Sequence, residues 1–228
     1  MTKWICFDVD GTLIRQGEGK VIWQLVNEHV HSGEEINRKR FAEYRAGRLA
    51  YAEWVALDIG DWQREGLRRE TIHRIIEERI VPMEGAHETI TELRRRGYRL
   101  AIISGTLNLT IDLLLPDLPF DTIYSNRIDF DEEGRIAAWE ATPFDDAGKV
   151  VALERIARDA GVSVAECAFI GDSWNDRHVL AAAGFSIAFH PKVEQIRQIS
   201  DLSIESGPLT QVLDHFPDRG GAPDDEER

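Results

Sequence analysis

The chain begins with an apolar segment that ends in two aspartates, Trp4-Ile5-Cys6-Phe7-Asp8-Val9-Asp10-Gly11-Thr12-Leu13. The apolar run has the length and composition of a strand that is buried on both faces. Residues two positions apart in a strand point to the same face, so Asp8 and Asp10 lie side by side. Two neighbouring carboxylates repel each other unless one is protonated or a cation lies between them. The segment therefore predicts a buried strand with a cation or proton site at its end, although an ordinary Asp-Gly turn is the simpler alternative.

After residue 81 the chain alternates apolar, strand-like segments with amphipathic, helical ones. The strand-like segments are residues 98–103, 122–125, 167–170, 185–189 and 202–204. A hairpin is predicted for residues 127–130 and 135–139, around a turn that contains Gly134. Strands that alternate with helices in this way form parallel βαβ units. The pattern predicts an α/β fold with a mostly parallel sheet and helices on both faces.

Residues 21–80 have a different pattern, because their apolar side chains recur at helical spacing and no convincing strand is present. We therefore expect an α/β core of residues 1–14 and 82–216, and a small helical cap of residues 15–81 inserted after the first strand. The last residues, 217–228, are rich in Gly, Pro and Asp and predict a disordered acidic tail. The loops at 14–20 and 81–85 are the expected hinges of the cap.

Polar side chains follow three of the predicted strands: Asp8 and Asp10, Ser104, and Asp172 and Asp176. The carboxyl ends of parallel strands meet at one edge of the sheet, where open α/β sheets bind ligands. Lys149 begins a predicted helix and is one of only five lysines, at positions 3, 20, 39, 149 and 192. Aspartates without histidine or thiol partners favour Mg²⁺. A carboxylate can also attack phosphorus while a second one transfers protons, so the pattern predicts phosphoryl chemistry.

Four segments, taken in order, resemble the four motifs of the haloacid dehalogenase superfamily of phosphatases: Asp8–Thr12, Ser104, Lys149 and Gly171–Asp176. The resemblance spans residues 1 to 216 and implies a Rossmann-like core with a C1-type helical cap. The segments 82–86, 171–176 and 183–189 are similar to those of phosphoserine phosphatases. The resemblance implies a Mg²⁺-dependent hydrolase that cleaves a small phosphorylated metabolite through an aspartyl-phosphate intermediate.

The resemblance also implies roles for the residues that match the family's motifs. Asp8 would be the nucleophile and a Mg²⁺ ligand. Asp10 would be the general acid and base, and its backbone carbonyl would bind the metal. Ser104 and the amide of Gly105 would hold phosphoryl oxygens, and Lys149 would neutralise the phosphoaspartate.

Further residues are assigned to the metal and the substrate by the same resemblance. Asp172 would complete the metal shell. Asp176 would belong to the metal site as well, either by orienting Lys149 or by holding a metal-bound water. Asn175 and Glu18 would contact the substrate.

Two departures from the phosphoserine phosphatase pattern leave the substrate open. Those enzymes follow the serine of the second motif with two glycines, whereas this chain reads Ser104-Gly105-Thr106. They also bind the substrate carboxylate with an arginine of the cap. The residues around that position in this chain, Trp54–Asp58, include no arginine. A carboxylate at Asp58 would repel the carboxylate of phosphoserine. Phosphoserine and another small phosphomonoester therefore both remain possible, as do phosphoryl transfer, a mutase reaction and a non-catalytic binding role.

Composition excludes some partners. The formal net charge of -14 disfavours nucleic acids and anionic membranes, which bind basic patches. The two cysteines, Cys6 and Cys167, lie in apolar runs and are expected to be buried thiols. No signal peptide or membrane-spanning segment is evident. We expect a cytoplasmic protein that is a monomer or a homodimer.

Overall fold

The computed structural model describes residues 1–17 and 19–221. Glu18 and residues 222–228 of the predicted tail lie outside this part. The described strands are β1 (Trp4–Phe7), β2 (Ile14–Gln16), β3 (Ile80–Pro82), β4 (Arg99–Leu107), β5 (Thr122–Phe130), β6 (Ile136–Glu140), β7 (Cys167–Gly171), β8 (Phe185–Phe189) and β9 (Leu202–Ile204). The described α-helices are α1 (Ile22–His31), α2 (Glu35–Arg45), α3 (Tyr51–Arg64), α4 (Arg69–Arg79), α5 (Ala86–Arg95), α6 (Asn108–Leu114), α7 (Gly148–Asp159), α8 (Arg177–Ala182) and α9 (Glu194–Ile199). Short 3₁₀-helices cover Val164–Glu166, Trp174–Asp176 and Leu209–His215.

Strand β1 is the centre of a seven-stranded sheet of order β6-β5-β4-β1-β7-β8-β9. Its residue Phe7 pairs with Ile102 of β4 and Ile170 of β7, both in parallel register. Only β6 runs antiparallel, through its pairing with β5. The described chain thus has the predicted α/β fold with a mostly parallel sheet.

Alternate residues of β1 belong to two separate hydrophobic clusters, one on each face of the sheet. Ile5 and Phe7 pack in the larger cluster with α5, and Trp4 and Cys6 pack in the smaller cluster with α7. Burying one such large apolar side chain contributes about 1.5–3 kcal/mol to stability. Burial on both faces therefore explains why this strand is a continuous apolar run. Cys6 and Cys167 are buried free thiols, as expected.

Strands β2 and β3 form a two-stranded antiparallel ribbon, in which Ile14 pairs with Pro82 and Gln16 with Ile80. Helices α1 to α4 lie between these strands in the chain. The sequence prediction of free loops at 14–20 and 81–85 is therefore wrong for the residues of the ribbon. Three-residue strands are too short to display an alternating pattern, so their pairing was not visible in the sequence.

Strand β5 is continuous from Thr122 to Phe130, although the sequence predicted two segments separated by Asn126. Its first half pairs with β4 in parallel and its second half pairs with β6 as the predicted hairpin. Asn126 does not interrupt the strand because its side chain is fully buried and hydrogen-bonded.

Within the described residues, none of the helices combines the length and the apolar character needed to cross a bilayer.

Candidate active site

The polar residues predicted to meet at one sheet edge do meet there. Asp8 follows β1, Ser104 lies within β4, and Asp172 follows β7. Lys149 is the second residue of α7, so the helix start carries its side chain to the same edge. Asp8, Asp10 and Ser104 line a cavity of about 340 Å³ that extends toward α1, α2 and α3.

Lys149 is fully buried and pairs with two carboxylates. Its Nζ lies 2.7 Å from Oδ1 of Asp8 and 2.6 Å from Oδ1 of Asp176. Burial alone lowers the pKa of Lys149, but the charges of Asp176 and Asp8 outweigh it and hold this pKa well above its usual value. The ammonium is therefore a fixed positive charge beside Asp8.

Asp176 uses both carboxylate oxygens within the protein. Oδ1 accepts the hydrogen bond from Lys149, and Oδ2 accepts from the backbone N–H groups of Asp172 and Ser173, each at 3.1 Å. Burial raises the pKa of Asp176 to about 6, against the opposing effect of Lys149. These contacts favour the predicted role of Asp176 in orienting Lys149.

Asp172 is fully buried, and its Oδ1 has no hydrogen-bond partner among the described residues. Burial raises its pKa well above the usual value, although the ammonium of Lys192 lies 2.7 Å from Oδ2 and opposes this effect. Such a buried carboxylate is costly unless a cation binds it. Oxygen atoms of Asp8, Asp172 and Asp176 lie within 4.8 Å of one another. A carboxylate set of this kind fits a hard divalent cation such as Mg²⁺.

Asp10 is held by a residue that the sequence did not single out. The side-chain amide of Gln16, in β2, donates a hydrogen bond of 2.6 Å to Oδ1 of Asp10. Burial and then the nearby charge of Asp8 raise the pKa of Asp10 to about 7. The ribbon that leads to helices α1 to α4 thus contacts the candidate acid directly.

The Ser104-Gly105 segment of β4 is fixed from both sides. The carbonyl of Gly105 accepts hydrogen bonds from Nε1 of Trp23 in α1, at 2.8 Å, and from Nδ2 of Asn126 in β5, at 2.6 Å. The Ser104 hydroxyl oxygen accepts from the N–H of Thr106 at 3.2 Å. Its O–H proton therefore remains available to a ligand in the cavity.

Of the two predicted substrate residues, Asn175 lines the cavity and donates a 3.0 Å hydrogen bond to Oδ1 of Asp145. Glu18 lies outside the described residues. Sequence reasoning missed Lys192, which follows β8 and whose backbone N–H also donates to the carbonyl of Asp172 at 2.8 Å. The scarcity of lysine was the one signal for this residue. Asp145 carried no signal, because acidic residues are common throughout the chain.

Several curated proteins are similar to this chain in sequence. A curated phosphoserine phosphatase of Methanocaldococcus jannaschii is 29% identical over 214 residues, which cover 94% of this chain and 97% of that protein. Another, from Archaeoglobus fulgidus, is 32% identical over 203 residues, which cover 89% of this chain and 56% of that protein. A third, from Mycobacterium tuberculosis, is 32% identical, with 92% of this chain and 49% of that protein covered. The chain thus spans about half of the length of the last two relatives.

The solved structures that are similar to this chain include phosphoserine phosphatases, as do its relatives in sequence. A substrate-bound phosphoserine phosphatase superposes with a TM-score of 0.74 at 27% identity, covering 95% of this chain and 99% of that chain. A phospho-aspartyl intermediate analogue of phosphoserine phosphatase gives a TM-score of 0.73 at 27% identity and the same coverage.

A family-wide sequence model of the haloacid dehalogenase-like hydrolases matches residues 5–181. The match includes β1, β4, α7 and β7, the elements that carry Asp8, Ser104, Lys149 and Asp172. Because it extends over most of the chain, this protein belongs to the haloacid dehalogenase-like hydrolase family.

Proposed function

We propose that this protein is a Mg²⁺-dependent phosphatase that cleaves a small phosphomonoester through an aspartyl-phosphate on Asp8. The observation that carries the proposal is the buried Lys149 ammonium, bound by Asp8 and Asp176 at the edge of a cavity that also contains Asp10 and Ser104. The similarity to phosphoserine phosphatases, one of them solved as a phospho-aspartyl intermediate analogue, supports the same chemistry.

In the first step, a carboxylate oxygen of Asp8 attacks phosphorus and forms a new P–O bond. The P–O bond to the leaving group breaks, and its electron pair stays on the leaving oxygen. Asp10 gives that oxygen a proton, so the product leaves as a neutral alcohol. Asp10 lies two residues from Asp8 and is positioned by Gln16, which suits it to this transfer.

In the second step, water attacks the phosphorus atom of the aspartyl-phosphate. Asp10, now a carboxylate, accepts a proton from the water, and the bond between phosphorus and the Asp8 oxygen breaks. Inorganic phosphate leaves and both aspartates return to their starting states. Lys149 balances the negative charge of the phosphoryl group in both steps, and the hydroxyl of Ser104 donates to a phosphoryl oxygen.

The side chains of Asp8 and Asp172 and the backbone carbonyl of Asp10 are the proposed Mg²⁺ ligands. The buried Oδ1 of Asp172, which has no partner among the described residues, supports this assignment. When bound, Mg²⁺ supplies positive charge to the phosphoryl oxygens. We assign Asp176 to Lys149 rather than to direct metal contact, because both of its oxygens are already hydrogen-bonded.

We also propose the division into a core of residues 1–14 and 82–216 and a cap of residues 15–81. The ribbon of β2 and β3 supports this division, because it holds together the two points where the chain leaves and rejoins the sheet. A cap over the cavity would exclude water that competes with the leaving alcohol. The cytoplasmic location and the oligomeric state remain predictions.

The test is phosphate release from p-nitrophenyl phosphate, phosphoserine and other small phosphomonoesters, with Mg²⁺ or with EDTA. We expect release in Mg²⁺ and its loss in EDTA. Including an alcohol acceptor separates hydrolysis from phosphoryl transfer, since a transferase would form a new ester. Release that persists in EDTA would contradict the metal assignment, and no release from any ester would contradict the proposed activity.

A further inference from the structure

Lys192 is held beside the candidate metal site by two contacts with Asp172. Its ammonium lies 2.7 Å from Oδ2 of Asp172, and its backbone N–H donates to the carbonyl of the same residue at 2.8 Å. The side chain of Asp172 is fully buried, whereas the side chain of Lys192 is 43% exposed and lines the cavity. Lys192 is therefore a charged residue of the cavity that also contacts a proposed metal ligand.

The same ammonium lies close to the segment that carries the candidate nucleophile and acid. A Cβ on Gly11, the residue after Asp10, would lie only 2.8 Å from Nζ of Lys192. Asp8, Asp10 and Ser104 line the same cavity as Lys192. A phosphoryl group bound between Asp8 and Ser104 would therefore share the cavity with this positive charge.

The carboxylates of the site outnumber its ammonium groups. The described site combines four carboxylates with two ammonium groups, those of Asp8, Asp10, Asp172 and Asp176 and those of Lys149 and Lys192. When every carboxylate is ionised, two negative charges remain, which is the charge that one Mg²⁺ neutralises. Without Lys192, the site would stay negative even with the metal bound, and it would repel a phosphate dianion.

A positive charge at this place acts on the two ligands in opposite directions. It repels a divalent cation that binds to Asp172, and it attracts a phosphoryl group that enters the cavity. Over a few ångström, one unit of charge in a partly exposed site changes a binding constant by about tenfold or more. The two effects can therefore be measured separately, as changes of opposite sign in two dissociation constants.

We propose that Lys192 is a second fixed cation of the site, which weakens the binding of the divalent metal and strengthens the binding of the phosphoryl group. Lys149 neutralises Asp8 and Asp176 from the core, and Lys192 neutralises Asp172 from the cavity. Lys192 is a positioning residue, because it acts through Asp172 and through its charge. The inference rests on the proposed phosphatase function, since it uses the same metal and phosphoryl sites.

The test measures the Kd of Mg²⁺ alone and the Kd of inorganic phosphate in saturating Mg²⁺, by isothermal titration calorimetry on the intact protein. Lys192→Met removes the charge and keeps the apolar stem. We expect the Kd of Mg²⁺ to fall and the Kd of phosphate to rise, each by about tenfold. Damage to the fold would weaken both ligands alike, so an unchanged ratio of the two constants would overturn the proposal.

Two further variants separate the charge from the shape of the side chain. Lys192→Arg keeps the charge, so the ratio of the two constants should stay close to that of the wild type. An arginine variant that behaves like Lys192→Met would overturn the proposal, because shape rather than charge would then be decisive. Lys39→Met is the matched control, since Lys39 is exposed and does not line the cavity, and it should change neither constant.

Binding and turnover together distinguish failure of this inference from failure of the proposed function. Mg²⁺-dependent release from p-nitrophenyl phosphate, with an unchanged ratio in Lys192→Met, would overturn the inference alone. A wild type that binds both ligands but releases no phosphate from any ester would overturn the activity, and the ratio would still decide the role of Lys192. A wild type that binds neither ligand would overturn both.

Discussion

At the scale of single residues, Gly11 shapes the candidate metal site through the side chain that it lacks. Its φ of +98° lies in a region that other residues rarely adopt. A Cβ at this position would lie 2.0 Å from Oδ2 of Asp172 and 2.8 Å from Nζ of Lys192. Either contact is far too short, so a side chain here would displace the carboxylate that we assign to Mg²⁺.

We therefore predict that Gly11→Ala abolishes Mg²⁺ binding. A metal at one hundred times its Kd stabilises the wild type by about 2.7 kcal/mol, so Mg²⁺ should raise the Tm of the wild type but not of the variant. The measurement is thermal unfolding with and without Mg²⁺. Gly33→Ala is the control, because a Cβ at Gly33 meets no atom within 4 Å. The same Mg²⁺ shift in Gly11→Ala as in the control would refute the metal assignment.

At the scale of secondary-structure elements, a buried ion network joins α2 to α3. Arg40, in α2, donates hydrogen bonds to Asp58 and to Asp61, both in α3, the second at 2.6 Å. Asp58 is only 1% exposed, and burial raises its pKa despite the hydrogen bond from Arg40. The arginine therefore compensates two carboxylates that are costly to bury.

Removing this arginine should destabilise the protein far more than removing an exposed one. We expect Arg40→Ala to lower the free energy of unfolding by about 3–5 kcal/mol, because it leaves Asp58 and Asp61 without their buried partner. Urea unfolding measures the loss. Arg38→Ala, on the same helix but exposed, should cost less than about 1 kcal/mol. Similar losses in the two variants would show that the network contributes little.

The core elements could be predicted because each one has a strong local pattern. Apolar runs of the sequence that are followed by Asp8, Ser104 and Asp172 indicate the sheet and its polar edge without any knowledge of distant contacts. The β2–β3 ribbon could not be predicted, since its short strands gain their stability from pairing across sixty or more intervening residues. The Arg40 network was hidden for a similar reason, because its partners lie on another helix and the sequence does not give their relative orientation.

The side chains of the candidate site also divide into those that the sequence could predict and those that it could not. Asp8, Asp10, Lys149 and Asp172 lie in segments that could be matched to motifs. Lys192 and Asp145 lie in loops, where neither periodicity nor a motif indicates which way a side chain points. Their proximity to the site follows only from the way in which the sheet and helix α7 bring separate loops together.

At the scale of the whole molecule, hydrogen bonds from α1 to α3 to the rest of the chain hold these helices over the cavity, and three of them involve residues that line it. They join Trp23 to Gly105, Tyr44 to Asp146 and Tyr51 to Asn126, at 2.8, 3.0 and 2.7 Å. The same helical region also contacts the β5–β6 hairpin through the N–H of Arg69, which donates to the carbonyl of Gly134 at 2.9 Å. These contacts correspond to a closed arrangement of the proposed cap.

We predict that Trp23→Phe combined with Tyr44→Phe shifts the proposed cap toward open arrangements. The double variant removes two of the hydrogen bonds while keeping two aromatic rings, at a cost of about 0.5–1.5 kcal/mol for each bond. Small-angle X-ray scattering should show a larger radius of gyration than in the wild type. Tyr98→Phe is the control, since its hydroxyl bonds to the carbonyl of Pro217, away from the cap. An unchanged radius in the double variant would mean that these bonds do not hold the cap.

The most direct test of the central claim is phosphate release by the wild type and by Asp8→Asn, measured with p-nitrophenyl phosphate in Mg²⁺. The substitution keeps the size of the side chain but removes the nucleophilic carboxylate. We predict a rate at least about a thousandfold lower, as for the loss of other catalytic nucleophiles, with an unchanged circular dichroism spectrum. An Asp8→Asn protein that releases phosphate at a rate near that of the wild type would contradict the covalent mechanism.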